Sequence, residues 1–347
     1  MKVLIRLPSS ASSRHLSQAG RLVGLLNEAG FGATMTLDAA DGEDRFGCLD
    51  LVFGEQPSAA ARLSIDPPEM LAERAIRSLP LDFEKLPILV EGESKEVRLW
   101  TRSTVVTRFK PTVYSYTANR YGQAPGSEDA RLRFAAAVFR RLHAARPSDP
   151  PPPQAAFLAE LRRNGERLLV EKLTETCNLE VRVKRYHIGS PVHRYLYTER
   201  HPSTLPTGPI TRWTRFEEPV VCFDWRHPLT DEGGNRLADE PLPDDYARLW
   251  MYDVDSGKQI ARQTFLWLEE MFREHGVILV DLCLLIDRAG KTIYGEISPD
   301  CMRISLQPTD PTAADHAAKD IWRAGGSPHE LRRSYEEIYT RIFGEGG

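Results

Sequence analysis

This chain of 347 residues has no long apolar run, no metal-binding spacing and no concentrated charge of either sign. The apolar stretch from Val3 to Leu7 is too short for a signal-peptide core, and no window approaches the length of a membrane span, so a soluble, cytoplasmic protein is expected. The five cysteines (Cys48, Cys177, Cys222, Cys283, Cys301) form no CxxC pair, which points to free thiols in a reducing compartment. Nine histidines fall without HxxxH or HExxH spacing, against a dedicated zinc site. GxSxG, GxGxxG and Walker A sequences are also missing. A formal charge of -4, with basic residues scattered, argues against a nucleic-acid or anionic-membrane partner.

What remains is a hydrophobic content of 41%, enough to bury a large core in about two or three subdomains. Residues 1–80 read as a small α/β domain. Lys2 to Leu7, Phe31 to Leu37 and Leu49 to Phe53 read as strands, and Arg14 to Ala29 carries Leu16, Val23 and Leu26 at helical spacing before Gly30. Strands alternating with a helix favour parallel pairing. The serine loop Ser9–Ser13 offers helix caps or a phosphate cradle; without the diagnostic glycines, a capped loop is the stronger reading.

Residues 81–150 read as a second unit. Ile88 to Trp100 is two strands around a glycine loop, Thr104 to Phe109 a third, and Ser127 to Ala145 a helix with Leu132, Ala135, Phe139 and Leu142 on one face. The proline run ending at Pro153 is a semi-rigid connector into a third unit, 151–347. There Leu168–Lys172 and Leu179–Tyr186 read as strands, 202–245 as long loops, and 255–275 as an amphipathic helix stopped by Gly276. Two helices close the chain.

The most informative stretch is Leu279 to Asp287 followed by Gly295 to Arg303, a buried hairpin. Period-two alternation puts Asp281, Cys283, Leu285 and Asp287 on one face and Leu282, Leu284 and Ile286 on the other. Carboxylates at strand ends beside a cleft suit Mg²⁺-phosphate chemistry, since Mg²⁺ takes one or two protein carboxylates and leaves its other positions to phosphate and water. The plainer alternative makes Asp287 a turn opener and Asp281 a structural ion-pair partner. Composition alone favours it.

Longer motifs carry a resemblance. Val280-Asp281-Leu282-Cys283-Leu284-Leu285 and Gly295-Glu296-Ile297-Ser298-Pro299-Asp300-Cys301-Met302-Arg303 resemble the V-D-F-K-L-E and D-E-x-S-P-D-x-x-R segments of SAICAR synthetases. Glu180 to Arg194 resembles the family's E-x-V-V-R-N…G-S-x-x-x-R, Glu91 to Lys95 its E-G-K-x-K loop, and Lys319 to Arg323 its K-D-x-x-R. These motifs lie in family order across roughly residues 88–345, with the first 80 or so outside.

The resemblance implies an α+β, two-lobed fold of antiparallel sheets with helices, behind the small α/β domain. It implies an ATP-dependent ligase that joins an amine to a ribotide carboxylate. Ser190, Arg194 and Arg303 would then hold the substrate's phosphate and carboxylate, joined by Lys184, Arg185, Ser298, Lys319 and Arg323. Gly92, Lys95, Lys172 and Glu180 would line the nucleotide, with ATP and Mg²⁺ as cofactors. Asp281, Asp300 and Asp239 would be catalytic; Asp239 lies in Ala238–Tyr246, the segment nearest the family's D-P-x-(I/V)-N-E element.

The chain departs from the pattern where Cys283 replaces a lysine, Leu285 a metal-binding glutamate, Gly295 a metal-binding aspartate, and Glu93 a loop lysine. Asp287 and Glu296 are the candidates for relocated metal ligands. The expectation is a divergent amide ligase of specialised metabolism acting on small molecules, with a homo-oligomer compatible with it. The alternatives are an ATP-independent or non-catalytic descendant that keeps an anion pocket, or a phosphotransferase like the inositol-phosphate kinases.

Overall fold

In the computed structural model, residues 2–7, 13–37, 48–52, 68–115, 120–145, 153–200, 208–226, 232 and 240–344 are described. Ser9 to Ser12, Pro147 to Pro152 and Asp239 lie outside them. The chain starts with β1 (Lys2–Leu7), α1 (Ser13–Glu28), β2 (Ala33–Leu37), β3 (Cys48–Val52) and α2 (Pro68–Ser78). β1 is central and runs parallel to both neighbours. α1 buries Ala19, Leu22 and Leu26, the stripe that a 3.6-residue period lays on one face, and ends at Gly30 with φ 80°.

The next group is β4 (Ile88–Glu91), β5 (Lys95–Thr101), β6 (Thr104–Phe109), β7 (Thr112–Ser115), β8 (Arg120–Gln123), α3 (Ser127–Ala144), β9 (Gln154–Ala155), β10 (Phe157–Arg163) and β11 (Glu166–Lys172). Five of these strands form an antiparallel sheet in the order β10-β11-β6-β5-β4. The remainder is β12 (Leu179–Tyr186), α4 (Pro191–Arg194), α5 (Leu196–Arg200), β13 (Arg215–Trp225), β14 (Glu240–Leu242), α6 (Asp244–Ala247), α7 (Val254–Arg273), β15 (Ile278–Ile286), β16 (Thr292–Tyr294), β17 (Met302–Ser305), α8 (Lys319–Arg323) and α9 (Pro328–Phe343). Its sheet runs β14-β13-β12-β15-β16-β9, with β17 also paired to β15.

The fold is therefore α+β, antiparallel sheets with helices behind a small parallel unit. α7 packs Ala261, Phe265, Leu268 and Phe272 against Val181, Val183, Leu282 and Leu284, which places the apolar face of the large sheet in the core. Its opposite face is left for polar groups. A second core joins α1 and α2 to Val106, Leu158, Leu161, Leu168 and Val170, the outer face of the five-stranded sheet.

Several elements differ from the expectation, β13, α2 and β10 most of all. Arg215 to Trp225 is an 11-residue strand inside the stretch read as loops, while α2 and β10 were not expected at all. In β13, Glu217, Glu218 and Pro219 hide the pattern, and alternation emerges only at Val221 and Phe223. Charges at Glu160, Arg162 and Arg163 mask β10 in the same way.

Candidate functional site

The polar face of the large sheet is built by strand alternation. Val181 and Val183 enter the core, so Glu180, Arg182 and Lys184 of β12 face away from it. Register then aligns transverse rows. Lys184 lies beside Asp281 and Asp281 beside Arg303, while Cys222 and Cys283 flank Arg182. Arg303 donates to Asp281, and its Nε lies 3.3 Å from Asp320, which also accepts from Arg323 at 2.9 Å.

The segment Gly189 to Arg200 lies against this face. Ser190 Oγ is 2.7 Å from His193 Nδ1, and His193 Nε2 is 3.2 Å from Asp224 Oδ1. Arg182 Nη2 sits 3.0 Å from both Asp224 and Glu180, and Lys184 donates to the His193 carbonyl. Arg194 donates to the Gly189 carbonyl at 3.0 Å and pairs with Glu199. Burial pushes the Glu180 carboxyl up, but Arg182 and its other partners outweigh burial and hold it down at about 2. Burial also lowers the Lys184 ammonium and drives the Cys283 thiol well above its ordinary value.

A second cluster fills the gap between the two sheets. Glu296, with its side chain 1% exposed, takes two 2.8 Å bonds from Arg131 of α3 and a 2.8 Å ion pair from Lys95, and accepts from Ser298. Burial opposes its ionisation, yet Arg131 and Lys95 hold the carboxyl well below the usual range. Asp300 accepts from Lys319 and from the Tyr335 hydroxyl, both at 2.9 Å. Glu171 accepts the Gly295 N–H at 2.6 Å, and burial lifts its carboxyl to about 7 despite that bond and Lys95. The two clusters share the segment from Gly295 to Arg303.

Of the residues singled out from sequence, Asp281, Arg303, Arg323, Lys184, Ser190, Arg194 and Glu180 gather at the sheet face. Asp300, Ser298, Lys319, Glu296 and Lys95 gather between the sheets. Gly92 closes the β4–β5 turn through its N–H to the Lys95 carbonyl at 2.9 Å. Three residues stand apart. Arg185 sits on the core side of β12, paired with Glu269 of α7. Lys172 reaches Glu28 of α1 at 3.1 Å. Asp287 closes its turn through two backbone N–H groups, at 2.7 and 3.0 Å.

Arg182, His193, Asp224, Arg131 and Glu171 stand in these clusters without having been singled out from sequence. Arg182 had a signal: Glu180, Arg182 and Lys184 place three charges at period two, alternating with Leu179, Val181 and Val183. Arg131 had none, because its burial depends on Glu296, distant in sequence.

The SAICAR synthetase family model matches residues 89–342. The chain belongs to the SAICAR synthetase family. The "Bifunctional cordycepin biosynthesis cluster protein 3" of Cordyceps militaris is 25% identical over 75% of this chain and 33% of its own length. A phosphoribosylaminoimidazole-succinocarboxamide synthase of Methanocaldococcus jannaschii is 30% identical over 45% of this chain and 58% of its own. The chain thus spans about a third of the first relative and 58% of the second. Among solved structures, the Saccharomyces cerevisiae SAICAR synthase complexed with SAICAR covers 77% of this chain and 98% of its own, at TM-score 0.57 and 15% identity. A SAICAR synthetase in complex with ADP covers 74% and 97%, at TM-score 0.56 and 20% identity. These likenesses establish the SAICAR synthetase fold.

The altered family positions do not make a magnesium site. Glu296 is committed to Arg131 and Lys95, and Asp287 to its turn. Gly295 has φ 79° and offers only its N–H to Glu171. Among the described residues no three His, Cys, Asp or Glu side chains group around a point where a metal ion could sit. Glu296 and Asp287 do not fit the part of relocated metal ligands. No described helix is long and apolar enough to cross a membrane.

Proposed function

We propose that the chain is a carbon–nitrogen ligase of SAICAR synthetase type. It would use ATP to activate a ribotide-type carboxylate as an acyl phosphate and pass it to an amine, as a divergent member serving specialised metabolism in the cytoplasm. The carrying observation is the anion-side cluster. Among the described residues, Arg303 and Arg194 each commit Nε and Nη1 to protein oxygens, which leaves Nη2 of each guanidinium to grip phosphate or carboxylate, Arg194 on the same turn as Ser190. The fungal relative named for a cordycepin biosynthesis cluster supports the specialised role.

Catalysis on this reading is positioning and charge stabilisation. Asp281 and Asp320 aim Arg303; Asp300 and Tyr335 hold Lys319 and the chain turn at Ser298. Asp281 and Asp300 therefore act as positioning groups, each already paired with a cation. Lys95 would lie beside the nucleotide, while Glu180 stands at the sheet face against Arg182. Magnesium would arrive with ATP, since Glu296 and Asp287 are already committed to their ion pairs and turn.

A second reading is an ATP-independent descendant that keeps the anion pocket. The lock of Arg131 and Lys95 onto Glu296 favours it, because two cations available for a triphosphate are already neutralised. Titrating Mg-ATP against the chain, with the family's ribotide carboxylate and a panel of amines, separates the two. The ligase reading expects amine-dependent ADP and phosphate release. No ATP binding at millimolar concentration sinks it in favour of the second, and transfer of phosphate to an alcohol would mark a kinase.

A further inference from the structure

Strands β12, β13 and β15 bring one arginine, two cysteines and two carboxylates into adjacent rows of the polar sheet face. Arg182 stands between Cys222 and Cys283, and in the next row Glu180 lies directly opposite Asp224. Two carboxylates facing each other across antiparallel strands repel, and burial sharpens the cost. Arg182 offsets it. Its Nη2 lies 3.0 Å from both carboxylates, and its Nε donates to Cys283 Sγ at 3.4 Å. The guanidinium therefore lies over β15, clamped at one edge, with only 10% of the side chain exposed. Among the described residues, nothing takes a hydrogen bond from its Nη1.

Two departures of the chain from the SAICAR synthetase pattern meet at this point. The family's E-x-V-V-R-N and V-D-F-K-L-E segments carry valine at the position of Arg182 and lysine at that of Cys283. Positions 182 and 283 are register partners on β12 and β15. The pair thus carries one cation in either version, on β15 in the family pattern and on β12 here. Directly opposed residues stand about 5 Å apart at Cβ, so a lysine and an arginine there would repel and compete for the same space. A thiol is small enough to lie beneath the guanidinium, and it donates to Glu180. The exchange also alters the cation. A guanidinium clamped by two carboxylates presents a fixed planar edge, where an ammonium on a flexible stem would swing.

We propose that the sheet-face cation has moved from residue 283 to residue 182, and that Arg182 binds an anionic oxygen of the ribotide substrate through Nη1. The inference rests on the ligase reading for its substrate. Phosphate and carboxylate share the chemistry this edge recognises, an oxyanion facing the N–H groups of a permanent cation. Glu180 and Asp224 act through Arg182 by holding its other edge, so both are positioning residues.

Direct binding of the family's ribotide carboxylate to the full chain tests the exchange, with Arg182→Val, Cys283→Lys and the double variant measured beside wild type. Arg182→Val is expected to weaken binding about 10- to 100-fold, the loss of one hydrogen bond to a charged group. Cys283→Lys alone should bind no better than wild type and melt lower, with two cations opposed. The double variant should recover affinity to within about fivefold of wild type and melt above either single variant, as coupled neighbours do. Arg182→Lys keeps the charge and loses the fork; it should stay folded and bind less tightly, and it carries the test if Arg182→Val does not fold. The ribotide lacking its carboxylate and the nucleoside lacking its phosphate identify the oxyanion. It is the group whose removal makes wild type and the Arg182 variant bind alike. Wild-type affinity in a folded Arg182 variant, or a double variant that regains its melting temperature without its affinity, overturns the exchange and leaves Arg182 a structural cation. A response confined to Mg-ATP binding overturns the assignment to the ribotide. The ligase reading fails separately, if the wild-type chain binds the ribotide but forms no amide with any amine; the relocated cation, read by binding alone, then still stands. A wild-type chain that binds no ribotide overturns both.

Discussion

Glu171 shows how one buried carboxylate can set a pH dependence. It is 4% exposed, with the Gly295 N–H as its hydrogen bond and Lys95 nearby, and burial raises its carboxyl from 4.5 to about 7. A carboxyl raised in the folded state binds more protons folded than unfolded between those values. Stability is therefore lost as pH rises through the window from 4.5 to about 7, and the cost persists above it. At about 1.4 kcal/mol per unit, the penalty at pH 8 is on the order of 3 kcal/mol. Glu171→Gln keeps an oxygen for Gly295 and carries no charge. Urea unfolding should find the variant close to wild type near pH 4.5 and more stable by roughly that amount at pH 8. Parallel pH profiles for the two proteins would mean that Glu171 stays protonated or is solvated. Glu296, next in the chain to the Gly295 that bonds Glu171, takes the opposite course because Arg131 and Lys95 sit against it and hold its carboxyl well below the usual range. The two carboxylates are equally buried, and only their partners separate them.

The join between α1 and the β5–β6 turn is made by side chains capping a helix from outside. Thr101 and Thr104 both donate to the Ala29 carbonyl, and Ser103 to the Glu28 carbonyl, satisfying acceptors that the helix end leaves open. Gly30 permits this approach: its φ is 80°, and a Cβ there would lie 2.5 Å from Thr101 Oγ1. Gly30→Ala should cost about 1–3 kcal/mol through backbone strain and displacement of Thr101. Hydrogen exchange should speed up across the last turn of α1 and the β5–β6 turn together; a change confined to α1 would break the proposed link.

Legibility followed the same division between local and distant causes. α7 was readable to within about two residues because its apolar stripe is local. β13 was hidden, since its strand character comes from pairing with β12 and β14 around Pro219. At the site, Ser190, Arg194 and Arg303 were legible as motif positions. Arg131 and Asp224 were not, because what makes them notable is burial against segments far away in sequence. Lys172 and Arg185 were readable as charges near a motif, but strand alternation sends each to the opposite face.

Across the whole molecule, the family match begins at residue 89, yet the residues before it are not an appendage in structural terms. Ile5, Leu22, Leu26, Phe31, Ala75 and Ile76 share one core with Leu158, Leu161, Leu168 and Val170 of the five-stranded sheet. A polar bridge runs alongside. Glu73 of α2 pairs with Arg140 of α3 at 2.7 Å, and Arg140 reaches Glu160 of β10 at 2.6 Å. Removing the first unit would uncover a contiguous apolar sheet face and leave Arg140 and Glu160 without Glu73. Exposed apolar surface of that kind drives association. A chain starting at residue 81 should therefore be found largely in aggregates or bind a hydrophobic dye strongly, whereas Glu73→Gln in the full chain should stay folded with reduced stability. The two parts should also unfold in one calorimetric transition, because a core that crosses between them cannot melt by halves. Two separate transitions, or a soluble truncated chain that still binds its ligands, would show that the outer sheet face tolerates solvent and that the first unit merely rests on it.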